Sequence, residues 1–320
     1  MIDDLRRIAG WYALVGLPEQ PLFGAPLTPG SPKEVVEARQ RLESLQARAL
    51  LNGESGTDVA VLFDKALATL DNRAVNVLAK RVFADVPLTL DELGKLHGVT
   101  RERVRQIEGR ARGALLGYIC GGGPLAMVAD AARRLIGTIR PLEDLLALMP
   151  SLGKTVEAVG QPAWRVLDGL DDAYEIEEGW CAVPTLQSAE TVTRAQLEER
   201  ADQYGVARLA ELDLIETSHP EQLSDLTAAW LRRLGYTVED HVVLTRVQSV
   251  GDYAAAVLSV TGSPMGAQEI VDRFVFDRTV GSLKTALSLD ERFERVDRDR
   301  WALREWGMEA YAGIRSVIRE

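Results

Sequence analysis

Apolar positions three and four residues apart organise the first third of the chain. Trp11–Val15 is a short apolar segment, and the Pro/Gly-rich stretch Gly16–Pro32 follows it; together they read as an arm or linker with one short helix. Residues 33–51 carry an amphipathic helical pattern, Asn52–Thr57 a Gly/Ser break, and Asp58–Phe83 a further helix. The sharpest pattern is Leu88–Arg112. Leu90, Leu93, Leu96 and Val99 keep helical spacing, and Thr89 with Glu92 three residues on has the form of a capping box. Gly98 suits the left-handed residue that ends a helix, and Thr100 caps the next one. Val104, Ile107 and Ala111 then continue the apolar stripe. Two helices joined by so tight a turn form a helix-turn-helix.

The stripe leaves Arg101, Glu102, Arg103, Arg105, Gln106, Glu108 and Arg110 on the other faces of the second helix. Arg and Gln have the fork geometry to read guanine and adenine edges, and a glutamate accepts from a cytosine amine. Thr100 and the free amides at the helix start suit a phosphate. A solvated, salt-bridged surface helix has the same composition, so composition leaves both readings open.

The run GVTRERVRQIEGRA resembles the recognition helix of region 4 of bacterial sigma-seventy-type factors, and the likeness extends from Leu67 over roughly fifty residues. It implies binding to a minus-thirty-five promoter element and docking on the flap of the RNA polymerase beta subunit. By the same resemblance Arg101, Glu102 and Gln106 contact base edges, while Thr100, Arg105 and Arg110 contact mainly phosphates; Arg103 is a further candidate DNA contact assigned to neither set. Two departures stand out. Asn72, Ala74 and Asn76 replace charged residues usual in the preceding helix, which bears on polymerase docking. Gly109 and Gly113 weaken the end of the recognition helix by about 1 kcal/mol each relative to alanine. The 66 residues before the match lack the aromatic cluster of a promoter-melting region 2, so a complete sigma factor is not expected.

Beyond Gly121–Pro124, expected to be a boundary, the pattern changes. The clearest unit is Gly251–Trp306. Tyr253–Val260 reads as a helix; SPMGAQEIVDRFVF as a capped helix with Ile270, Val271 and Phe274 inward; Leu283–Leu289 as a second short helix; and RFERVDRDRWALREW as a hairpin turning at Asp297–Arg300. It resembles the winged-helix domain of the polymerase delta subunit and of several restriction and chromatin proteins. A similar unit is read earlier, with helices at Thr155–Val159 and Ala163–Leu170 and the wing YEIEEGWCAV. A middle one is read over Thr193–Thr245. In the last unit Ser282, Lys284 and Thr285 start the recognition helix, and Arg295, Arg298 and Arg300 decorate the wing as candidate DNA contacts among acidic neighbours. The first wing, with Glu175, Glu177 and Glu178, suits a protein contact or spacer.

The expected fold is therefore mainly α. An N-terminal arm and helix occupies 1–57 and the sigma region 4-like domain 58–120. Winged-helix-like modules occupy 125–187 and 188–248, and a C-terminal winged helix with a terminal helix occupies 249–320.

Charge narrows the function. The 320 residues carry a net charge of −11, so any DNA contact must be confined to local patches or assisted by protein partners. The N-terminus MIDDLRRIAG has no apolar signal core, and no apolar run approaches the ~20 residues of a membrane helix, so a cytoplasmic, nucleoid-associated protein is expected. Cys120 and Cys181 stand far apart, as incidental thiols in a reducing compartment. His97, His219 and His241 lack a second ligand at metal spacing, and Ser151–Thr155 lacks the upstream glycine of a phosphate-binding loop. Neither an enzyme nor a cofactor is expected. The leading expectation is a sequence-specific transcription regulator or polymerase-associated sigma-like factor on double-stranded DNA. The alternative is a DNA-sensing interaction scaffold of a multi-protein defence or mobile-element system.

Overall fold

The computed structural model describes residues 1–50, 58–239, 241–274 and 277–311. The Gly/Ser break at Asn52–Thr57, Val275–Phe276 at the end of the SPMGAQEIVDRFVF segment, and the terminal helix expected beyond Tyr311 lie outside the described residues; the helix expected over that segment stops at Val271, well before Phe274.

Helix α1 (Ile2–Leu14) packs against α2 (Lys33–Glu43). Ile8 and Tyr12, one turn apart, meet Val35, Ala38 and Leu42, and Leu22 and Leu27 of the intervening loop close the cluster. The buried Arg39 guanidinium donates to the Leu22 and Ala25 carbonyls, satisfying the loop's backbone from inside. The expected arm is thus a packed helical pair. The second helix stops at Glu43, short of the expected residue 51.

Asp58–Phe83, expected as one helix, is two. Asp58 caps α3 (Val59–Leu67) by accepting from the Val61 amide, and Asp71 caps α4 (Asn72–Val77) by accepting from the Ala74 amide. The second cap starts a new helix axis where the apolar periodicity alone suggested continuation. Helix α4 runs on into a wider π turn, Leu78–Val82. Helices α5 (Leu90–His97) and α6 (Arg101–Cys120) follow, then α7 (Pro124–Ile136) across a bend of 79°.

From α7 onward the order helix, strand, helix, helix, hairpin occurs in closely related form three times. The first unit holds α7, β1 (Ile139–Pro141), α8 (Leu142–Leu148), the two-residue strands β2 (Thr155–Val156) and β3 (Gln161–Pro162), α9 (Ala163–Asp168), β4 (Glu175–Glu177) and β5 (Trp180–Ala182). The middle unit holds α10 (Leu186–Arg200), β6 (Val206–Arg208), α11 (Leu223–Arg233), β7 (Thr237–Glu239) and β8 (Val242–Leu244). Short 3-10 turns at Leu209–Glu211 and Pro220–Gln222 stand in place of its second helix. The last holds α12 (Val250–Thr261), β9 (Met265–Gly266), α13 (Ala267–Val271), α14 (Val280–Leu289), β10 (Phe293–Asp297) and β11 (Arg300–Leu303). In every unit the strand after the first helix pairs antiparallel with the second hairpin strand, giving the sheet orders β1-β5-β4, β6-β8-β7 and β9-β11-β10. Thr155–Val159, expected to be helical, is instead strand β2 and the turn that returns it to β3. β-branched Thr155 and Val156 fit an extended pair, and Gly160 at φ +67° closes the turn.

The units share cores. One apolar cluster joins Phe63, Leu67 and Phe83 before α6 and Leu115 within it to Ile136, Leu167 and Cys181 of the first unit, so the core runs across Gly121–Pro124. A second spans strands β1 and β5 of the first unit and the middle unit. There Trp180 packs against Trp230 in a tilted pair, with ring centroids 5.3 Å apart and planes at 59°, and the Trp230 indole donates to Thr193 at 2.9 Å. A third joins Tyr204, Val206 and Leu244 of the middle unit to α12, α14 and β11. No single described helix is both long and apolar enough to cross a membrane.

Candidate nucleic-acid interface

The helix-turn-helix is assembled by local rules. Thr89 Oγ1 accepts from the Glu92 amide while the Glu92 carboxylate accepts from the Thr89 amide, a complete capping box that starts α5. Gly98 ends α5 at φ +63°. Gly94 is the second requirement of the turn: a Cβ there would lie 2.8 Å from the Val99 carbonyl oxygen. Only glycine lets the chain fold back this closely, and the Val99 amide then donates to the Gly94 carbonyl at 2.9 Å. Val77, Leu93 and Val104 form the small core beneath the turn, with Leu88, Leu90, Val99 and Ile107 around it. Leu96, expected on that apolar stripe, is instead 53% exposed.

Thr100 caps α6 by accepting from the Arg103 amide at 3.2 Å. Thr100, Arg101, Glu102, Arg103, Arg105, Gln106 and Arg110 are all exposed, and the helix brings the seven onto one outward surface. Arg105 donates through Nε and Nη2 to both oxygens of Glu102, at 3.0 and 2.7 Å, which holds the Glu102 carboxyl below the usual glutamate range. Arg103 donates to Gln106 Oε1 at 3.3 Å. Arg101 and Arg110 have no ion-pair partner within 4.0 Å among the described residues. Residues 58–120 hold ten Lys and Arg against eight Asp and Glu, a net +2 within a chain of net −11. Gly109 and Gly113 do not end the helix. It continues to Cys120, because Ala111, Leu115 and Ile119 bind its second half into the larger core.

The residues singled out in the last unit are tied up locally. Lys284 Nζ lies 2.5 Å from Asp299, and Arg300 donates to the Pro264 carbonyl at 2.9 Å. Thr285 donates to the Gly281 carbonyl, and the Ser282 amide donates to Thr279. Arg298 is exposed at the turn of the β10–β11 hairpin. The acidic tip of the β4–β5 hairpin reaches the middle unit, where Arg233 donates to Glu178 at 3.0 Å and lies over the Trp230 ring. His97 ends α5, His219 lies beside Glu221, and His241 turns the β7–β8 hairpin at φ +67°. Among the described residues no three His, Cys, Asp or Glu side chains gather as a metal site. Sequence reasoning missed Gly94 and the ion pair between Arg81 and Glu108. The alternation of Gly94 with Gly98 at one-turn spacing was the available signal for the first; the second joins residues 27 apart, beyond any local pattern.

Residues 66–115 match Sigma-70, region 4. The chain is 41% identical over 69 residues to an RNA polymerase sigma factor RpoH of Zymomonas mobilis subsp. mobilis, covering 22% of this chain and 23% of that protein. It is 48% identical over 50 residues to RNA polymerase sigma factor RpoH of Caulobacter vibrioides, covering 16% and 17%. Against the RNA polymerase sigma-C factor of Myxococcus xanthus it is 44% identical over 54 residues, covering 17% and 18%. The chain thus spans less than a quarter of the length of these relatives. No solved structure matches the chain.

Proposed function

We propose that this chain is a sequence-specific, double-stranded-DNA-binding transcription factor of sigma-like type, which acts in the cytoplasm and reads the major groove with α6. The observation that carries the reading is the capped N-terminus of α6. Arg101, Glu102 and Gln106 stand exposed there on a helix fixed from below by its own small core, within a segment that matches region 4. Arg101 and Gln106 supply forked donors and acceptors for base edges; Thr100, Arg105 and Arg110 hold phosphates, with Arg103 beside them.

The three units that follow are, in this reading, tandem winged-helix modules. Their shared strand pairing and helix order support it. They act as a rigid, acidic spacer and protein-contact surface rather than as further DNA readers. The pairing of Lys284 with Asp299, the tethering of Arg300, and the closure of the first wing on Arg233 all favour this role. RNA polymerase, through its beta flap, is the proposed protein partner, and the protein works without catalysis or cofactor.

The chain outside residues 58–120 carries a net charge of −13, which favours a second reading as a DNA-sensing scaffold in a multi-protein system. Selection of bound sequences from genomic DNA by the purified protein, followed by fluorescence anisotropy on the best site, separates the two. A discrete motif, with affinity falling about 10-fold or more in Arg101→Ala and in Gln106→Ala, supports the first reading. Weak binding without a motif overturns it in favour of the scaffold.

A further inference from the structure

The Arg81 side chain lies in the π turn, outside the recognition helix, yet touches both ends of the reading apparatus. Its Nε donates to Glu108 Oε2 on α6 at 2.9 Å, and its Nη1 donates to the Leu88 carbonyl, just before the cap of α5, at 2.7 Å. The π turn also leaves the Lys80 carbonyl to accept from the Leu88 amide at 2.9 Å. Three chain segments are thus bolted together at one guanidinium: the π turn, the entry to α5, and α6. Neither partner of the ion pair is freely solvated, with side-chain exposures of 31% and 24%. Glu108 is seven residues, two helical turns, from Arg101 and lies on the same side of α6. A shift at Glu108 therefore carries directly to the exposed reading residues.

We propose that Arg81 is a positioning residue for DNA reading, whose fork sets the placement of α6 relative to α5 and the π turn through Glu108 and the Leu88 carbonyl. This rests on the assignment of α6 as the reading helix. Base-edge hydrogen bonds are lost with small displacements, whereas charge attraction to phosphates tolerates them. Loosening the bolt therefore removes discrimination before it removes affinity. A fork is needed because two acceptors in different directions are held at once; a lysine point charge does not reproduce that.

The test measures affinity of the full chain for its selected site and for a single-mismatch site, in the parent, Arg81→Gln, Arg81→Lys, Glu108→Gln and the Arg81→Gln/Glu108→Gln double variant. Urea midpoints are measured in parallel. The expected result is a fall of about 5-fold in the ratio of the two affinities in each single variant, Arg81→Lys included, with the double variant no worse than Arg81→Gln alone. Ratios that stay at the parent value, whatever happens to the midpoints, overturn the positioning role and leave Arg81 as a stability contact. Should the parent itself prefer no sequence, the α6 reading falls and takes this proposal with it. A preference that the variants keep in full removes this proposal alone.

Discussion

Gly94→Ala and Gly113→Ala are the same chemical change in two helices of one motif, and they should shift stability in opposite directions. At Gly113 a Cβ meets nothing within 4 Å, so alanine contributes its helix preference unopposed, about 0.5–1 kcal/mol of stabilisation. At Gly94 the same preference is present, but the Cβ would sit 2.8 Å from the Val99 carbonyl oxygen. Ordinary carbon–oxygen contacts begin near ~3.3 Å, so the turn has to open by roughly half an ångström. That disturbs the Val99-to-Gly94 hydrogen bond and the small core under it. Crowding of this kind costs about 2–3 kcal/mol, leaving a net loss of roughly 1–2 kcal/mol after the helix preference is credited. Hydrogen exchange of the α5 and α6 amides reads the effect locally, and urea midpoints read it globally. Equal or increased protection in Gly94→Ala would refute the close-turn argument; a destabilised Gly113→Ala would refute the reading of α6 as a continuous helix with an open face there.

Further outcomes are expected. Arg105→Ala should weaken binding to all DNA sequences alike and flatten the plot of log affinity against log salt by about one unit, measured by anisotropy at several salt concentrations. Thr193→Val strands the buried Trp230 indole donor and should cost about 1–3 kcal/mol in urea denaturation, whereas Trp230→Phe/Thr193→Val, which removes both partners, should show less than the sum of the two single changes. Burial, seconded by the charges of Glu175 and Asp171, raises the Asp168 carboxyl to about 7 against the Ile176 amide that opposes it. The folded state then binds the extra proton between about pH 4 and pH 7, so the stability tied to this group is full at acid pH and is lost as pH rises through 7. Asp168→Asn, which keeps an oxygen to accept from the Ile176 amide, should gain on the parent from pH 5 to pH 8; an unchanged difference across that range would contradict the assignment.

What the sequence made legible was local. The capping box at Thr89, the left-handed Gly98 and the Thr100 cap each depend on residues within four positions, and the helix-turn-helix follows from them. The hairpins of Glu175–Ala182 and Phe293–Leu303 were also readable, because apolar and charged residues alternate across a tight turn. Errors arose where two local rules competed. Apolar periodicity ran through Ala68–Asp71, but the Asp71 side chain captured the Ala74 amide and broke the helix. At Thr155–Val159 helical spacing of small apolar residues hid a turn that Gly160 makes possible. The N-terminal pair was missed for a different reason. Ile8 and Tyr12 find their partners at Val35 and Ala38, across a Pro/Gly-rich loop whose composition resembled a linker. The joints between units, such as Trp180 on Trp230, link positions fifty apart, and nothing in either neighbourhood announces the other.

The core that runs from Phe63 through Leu115 to Leu167 has a consequence for how this chain can be handled and how it can change. The glycines before Pro124 look like a place to cut, yet a fragment ending there would present Leu115, Ile119 and Phe83 to water without Ile136, Leu167 and Leu170 to cover them. The helix-turn-helix is therefore not a detachable cassette. Grafted elsewhere it would bring a sticky underside. Within its own chain, any substitution that loosens the first unit is felt at the foot of α6.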